Sequence, residues 1–147
     1  MSASLLTPYI HLNYIMLTAH PDDELLFGYD FLTTHKKCLV CCVSNGKDQK
    51  RKLDFIKIVE SLGHKPLLLD NNDKWHSEDI SLKVLNQISH LLKTYKWKKI
   101  ITHNLAGEYL HSGHMSISYN IHIICEKHKK LSKLYTFGKS SYKRAPT

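Results

Sequence analysis

The amino-acid sequence predicts an α/β protein: a three-layer sandwich with helices on both faces of a mostly parallel sheet of about five strands. Three observations predict it. Short apolar runs of strand length alternate with longer stretches whose apolar residues recur at helical spacing. Within the runs the apolar residues are consecutive, as expected for strands covered on both faces. Polar residues able to bind and catalyse follow directly on several of the runs, where open parallel sheets gather ligands. The 147 residues suit one domain spanning 1–147, with a short polar, basic tail from about residue 138.

The first run is Tyr14–Ala19 (YIMLTA) and the second Lys37–Val43 (KCLVCCV). Lys65–Leu69 (KPLLL), Lys99–Thr102 (KIIT) and Leu134–Phe137 (LYTF) complete the set. Between the second and third, Leu53, Ile56, Val59 and Leu62 form a helical stripe that Gly63 is placed to stop. Ile80, Val84, Leu85, Ile88, Leu91, Leu92 and Tyr95 form the next stripe. Ser77 is its expected N-cap, with Glu78 and Asp79 in the first turn. Ile117, Ile121, Ile124, Cys125 and His128 form a third. Right-handed crossovers through these helices make the strands parallel, in a Rossmann-like arrangement.

Composition narrows the classes. Hydrophobic residues are 42% and charged residues 23%, ordinary for a globular chain. No apolar run reaches the roughly 20 residues of a membrane span. Met1–Ser4 lacks the basic start of a secretory leader, so a cytoplasmic location is expected. Cys38, Cys41, Cys42 and Cys125 lie in apolar runs, as buried free thiols rather than disulfides or zinc knuckles. The net charge of +8 is almost all lysine, since Arg51 and Arg144 are the only arginines. The lysines are dispersed and no zinc-finger, RRM or KH pattern occurs, so no nucleic-acid partner is expected. Attraction to an anionic membrane surface or a phosphorylated substrate stays open.

The strand ends hold the chemistry. The first run is followed by His20-Pro21-Asp22-Asp23-Glu24, and the second by Ser44-Asn45-Gly46-Lys47. Asp70 follows the third, and His103-Asn104 the fourth, leading on to His111-Ser112-Gly113-His114. Topology brings these segments to one edge. Packing gains nothing from a histidine and two carboxylates after a buried strand. Pro21 suits a first helical turn, and Asp23 then lies on the same side as His20. Helix capping by the acidic residues explains the segment alone equally well. The His111–His114 pair is weak evidence alone, among eleven histidines. Together, the two clusters offer imidazole and carboxylate ligands suited to Zn²⁺ or a similar divalent cation.

Thr18-Ala19-His20-Pro21-Asp22-Asp23-Glu24 resembles the A-H-P-D-D-E motif of the PIG-L/LmbE-like zinc-dependent de-N-acetylases. That family includes N-acetylglucosaminyl-phosphatidylinositol de-N-acetylase of GPI anchor biosynthesis. The stretch from Thr102 to His114 is similar to its second motif, ending in H-x-x-H. Ser44-Asn45-Gly46, Arg51 and Ser61-Leu62-Gly63 resemble an intermediate stretch. The matches keep family order across roughly residues 14 to 137. The resemblance implies His20, Asp23 and His114 as metal ligands, Asp22 as general base, and His111 as acid or electrostatic partner of the departing amine. It implies substrate binding by Arg51, whose alternative is an exposed helical residue paired with Asp48 or Asp54. The implied substrate is an N-acetylglucosamine conjugate, including GlcNAc-phosphatidylinositol, and the products are acetate and an amine.

The chain departs from the pattern at two places. Gly113 stands where relatives often carry Asp or Asn, and Asn104 stands where Asp is usual. Both changes remove a carboxylate that could orient a ligand. A catalytically weakened glycan- or nucleotide-binding protein is therefore the alternative reading, and a basic nucleic-acid-binding domain a more distant one. Trp75 and Tyr109 are lesser candidates for substrate contact.

Overall fold

A computed structural model describes residues 8–44, 48–71 and 80–138, and the backbone of 142–144. The expected five strands are present: β1 (Tyr14–Thr18), β2 (Cys38–Cys42), β3 (Lys65–Leu68), β4 (Lys99–Thr102) and β5 (Leu134–Phe137). They run parallel in the order β3-β2-β1-β4-β5. A sixth strand, β6 (Tyr142–Arg144), adds antiparallel to β5. The stretch read as a basic tail thus closes one edge of the sheet.

Among the described residues, six helices accompany the strands: α1 (Asp23–Leu26), α2 (Tyr29–Thr34), α3 (Gln49–Ser61), α4 (Leu82–Thr94), a distorted turn numbered α5 (Gly107–Leu110), and α6 (Ser112–Lys127). The two faces of the sheet bury different side chains. Ile15, Leu17, Leu39, Cys41 and Ile100 pack with Val84, Ile88, Leu92, Ile117 and Ile121 of α4 and α6. Met16, Val40, Cys42 and Ile101 pack on the other face with Phe31, Leu32, Phe55 and Val59 of α2 and α3. Alternate strand residues therefore supply separate apolar layers, and this two-sided burial produces the continuous runs in the sequence.

Local signals set the helix limits. Asp48 accepts hydrogen bonds from the amides of Lys50 and Arg51 and starts α3. Gly63, at φ 83°, ends it, and the His64 amide donates back to the Val59 carbonyl. The buried stripe of α3 runs through Phe55 and Val59, whereas Leu53 is 55% exposed, a correction to the expected face. Helix α4 is capped by Ser81, which accepts from the Val84 amide. The expected cap Ser77, with Glu78, Asp79 and Trp75, lies outside the described residues, as do Asn45, Gly46 and Lys47. At the far end of α4, Lys130 Nζ donates to the carbonyls of Leu92 and Tyr95. All four cysteines are buried and free, and burial pushes the Cys41 and Cys125 thiols up to about 12. No helix among the described residues is long and apolar enough to cross a membrane.

Gly28 joins α1 to α2 where a side chain has no room. A Cβ there would lie 2.6 Å from Met16 Cε and 2.9 Å from the Glu24 carbonyl oxygen. Gly28→Ala should cost about 1–3 kcal/mol through overpacking and lower Tm by several degrees in a thermal melt. A Tm equal to that of the wild type would show that β1 and α1 yield freely.

Candidate metal centre

The strand order reverses between β1 and β4, which lie side by side and lead in opposite directions across the sheet. At such a switch point the loops leaving neighbouring strands diverge and open a crevice. Both motif-bearing segments leave from here.

After β1 the chain turns sharply. Asp23 Oδ2 accepts the His20 amide at 2.8 Å, and Glu24 Oε2 accepts the Asp22 amide at 3.1 Å. Helix α1 begins at Asp23 rather than at Pro21, because Asp22 adopts the left-handed conformation at φ 91°. Such a backbone costs on the order of 1–3 kcal/mol for a non-glycine residue and concentrates at functional sites. The exposed Asp22 side chain makes no capping hydrogen bond. Asp22 caps α1 through its carbonyl, which accepts the Leu25 and Leu26 amides, and not through its carboxylate. Glu24 is buried beneath this turn, its Oε1 lacks a hydrogen-bond partner, and burial pushes its carboxyl up to about 7.

After β4, Thr102 Oγ1 donates to the Leu17 carbonyl at 2.9 Å and holds the two strand ends together. His103 follows, fully buried. Its Nε2 accepts the Ala19 amide at 3.0 Å and its Nδ1 donates to Glu108 Oε1 at 2.7 Å. Helix α6 then begins with His111 as N-cap, whose Nδ1 accepts the Gly113 amide at 3.1 Å. That bond leaves the proton of a neutral His111 on Nε2. One turn on, His114 is buried and donates through Nδ1 to Glu108 Oε1 at 2.8 Å.

These segments meet. Asp23 Oδ2 lies 3.5 Å from His20 Nδ1 and 3.3 Å from His114 Nε2. The His111 ring stacks on His114 with centroids 4.4 Å apart and stands 5.0 Å from His20. Among the described residues, two donor groups could hold a metal ion: His20, His111 and His114, and Asp23, His103 and His114. The Ala19 amide already occupies the Nε2 lone pair of His103, so that ring has no ligand atom to spare. His114 Nε2 is different. It is buried and has no hydrogen-bond partner, only the ionic contact with Asp23. An orphaned imidazole nitrogen facing a carboxylate oxygen and a second imidazole fits a divalent cation.

The electrostatics agree. Burial raises the Asp23 carboxyl, but His103, His114 and His20 outweigh it and hold the group well below the carboxylate range. Burial lowers His114, but the neighbouring carboxylates of Asp23 and Glu108 outweigh that and push it to about 9. Burial and the neighbouring His114 and His20 lower His111. With Asp23 Oδ2 3.3 Å from His114 Nε2, positive charge between the two is favoured, as a proton or as a cation.

Arg51, at the start of α3, donates from Nη2 to the Pro21 carbonyl at 3.2 Å, which brings it to the turn that carries His20 and Asp23. Its expected rival partner Asp54 pairs with Lys50 instead, at 3.1 Å. Tyr109 is exposed beside the site, its ring 5.8 Å from His111 and 5.5 Å from His114. Asp70 bridges Ser44 by backbone and belongs to neither donor group. The sequence gives Glu108 no distinguishing feature and marks His103 only as the residue after a strand. Adjacency to β4 was the available signal for His103, but Glu108 had none.

No family model matches the chain. It is 33% identical over 142 residues to "Uncharacterized protein L374" of Acanthamoeba polyphaga mimivirus, covering 84% of this chain and 60% of the viral protein. The chain thus spans about three fifths of that relative's length. Among solved structures, it resembles the A40926 pseudoaglycone deacetylase Dbv21, with TM-score 0.69 and 13% identity over 87% of this chain and 64% of the other. It also resembles GalB, the 4-carboxy-2-hydroxymuconate hydratase of Pseudomonas putida KT2440, with TM-score 0.60 and 14% identity over 82% and 57%. At these identities the likeness establishes the α/β fold.

Proposed function

We propose that this chain is a metal-dependent amidohydrolase of the PIG-L/LmbE type, removing the acetyl group from an N-acetylglucosamine conjugate. One observation carries the reading: His20, Asp23 and His114 converge from two distant segments, and the buried His114 Nε2 has no hydrogen-bond partner. The fold shared with a deacetylase supports it.

His20, Asp23 and His114 would hold the cation, with zinc the favoured ion for two imidazoles and one carboxylate. Bound there, a divalent cation supplies Lewis acidity, acidifying water and polarising the amide carbonyl. Asp22, its carboxylate exposed and free of capping duty, takes the proton from the attacking water as its oxygen bonds to the acetyl carbon. His111 presents its Nε2–H to the developing charge as an electrostatic partner, and the proton taken up by Asp22 passes to the amide nitrogen as the C–N bond breaks. Acetate and the free amine leave. Arg51 braces the Pro21 carbonyl and presents its remaining N–H groups to the sugar or its phosphate.

Purified protein loaded with zinc should hold one ion per chain and release acetate from N-acetylglucosamine conjugates. GlcNAc-phosphatidylinositol and soluble GlcNAc conjugates are the substrates to compare. Stoichiometric zinc without acetate release would favour a glycan-binding role. Failure to bind any divalent cation would overturn the reading.

A further inference from the structure

We propose that Glu108 is the positioning carboxylate of this centre, orienting His114 directly and the His20–Asp23 turn through His103. The inference rests on the metal-site reading above and assigns a role to a residue that lies within the Thr102–His114 stretch but has none in the reading so far.

The outer carboxylate has to come from somewhere unusual. Gly113 has no side chain to offer, and Asn104 is an amide. Glu108 supplies the missing group from four residues beyond Asn104. Its Oε1 receives two imidazole N–H groups, from His103 Nδ1 at 2.7 Å and His114 Nδ1 at 2.8 Å. Its Oε2 accepts the Asn104 amide at 2.7 Å, while the Glu108 amide donates to Asn104 Oδ1 at 3.0 Å. Asn104 therefore clamps Glu108 reciprocally, in the manner of a capping box.

Both arms reach the metal-side atoms. A proton held on His114 Nδ1 leaves the Nε2 lone pair for a cation, the usual means of fixing a ligating imidazole. The second arm holds His103 with its proton on Nδ1, so that Nε2 accepts the amide of Ala19, next to His20. One carboxylate oxygen thereby sets both loops that deliver ligands, and the His103 and His114 rings stack with centroids 3.9 Å apart.

The backbone is bent to achieve this. Gly107, Glu108 and Leu110 have φ of 64°, 63° and 66°. For Glu108 and Leu110 that conformation is unfavourable. Core packing does not repay it, since Tyr109 and Leu110 are exposed. The hydrogen bonds of Glu108 are what the distorted turn secures.

The test compares zinc affinity of the wild type, Glu108→Gln and His114→Ala by competition with a chromophoric chelator. Circular dichroism and thermal melts report the fold. Glu108→Gln should bind zinc about 10–100-fold more weakly, the range expected for an outer-shell partner, and His114→Ala more weakly still. If His114→Ala loses zinc while folded Glu108→Gln binds like the wild type, Glu108 does not position the ligands. If His114→Ala binds as tightly as the wild type, the metal-site reading itself fails. The wild type offers a second readout independent of variant folding. Nitrogen-15 NMR of the zinc-loaded protein should show the His114 proton on Nδ1, and a proton-free Nδ1 would overturn the proposal.

Discussion

Asp22→Asn should bind zinc like the wild type and lose about 10²–10⁴-fold in hydrolytic rate, the range for removal of a general base. The substitution is nearly isosteric. Asparagine also tolerates the left-handed conformation that this position requires at φ 91°. The exposed Asp22 side chain caps nothing, so the turn that delivers His20 and Asp23 should persist. Charge and proton affinity are what change. Zinc content and acetate release measured on one preparation separate binding from chemistry. A rate within a few-fold of the wild type, at equal zinc content, would remove Asp22 from the mechanism.

His114→Ala should have the larger effect on the metal. It removes the buried nitrogen without a hydrogen-bond partner and leaves Asp23 Oδ2 facing His20 and His103. The loss of zinc affinity should exceed the roughly 100-fold ceiling for an outer-shell partner. Linkage makes this visible in a melt. Ligand at about 100 times Kd stabilises a protein by about 2.7 kcal/mol, so zinc should raise the wild-type Tm and leave the variant's unchanged. Equal zinc-induced shifts in both proteins would place the ion elsewhere.

The five parallel strands were readable because each is covered on both faces, which forces consecutive apolar residues into the chain. β6 was not, because Tyr142–Arg144 carries two basic residues and owes its existence to pairing with β5. The C-terminal limit of helix α3 was readable through Gly63, but its Asp48 cap was not, and its buried face depended on packing against the sheet. Leu53 was therefore misplaced.

The site divides in the same way. The clustering of His20, Asp23, His111 and His114 was legible because each sits in a short motif on a segment that leaves a strand of the switch point. The left-handed backbone at Asp22 and the Arg51 bond to the Pro21 carbonyl were not, since neither is a matter of residue type. Glu108 was the least legible. Its carboxylate matters only because a turn with three positive φ values points it back at two histidines. A glutamate in a polar loop carries no mark of that in sequence.

The central claim is that one cation is held by His20, Asp23 and His114. Anomalous diffraction at the zinc edge from zinc-loaded crystals tests it most directly. The account predicts a single peak at about 2.0–2.2 Å from a ring nitrogen of His20, a carboxylate oxygen of Asp23 and His114 Nε2. A peak coordinated by His20, His111 and His114 with Asp23 turned away, or no peak between these segments, would contradict it.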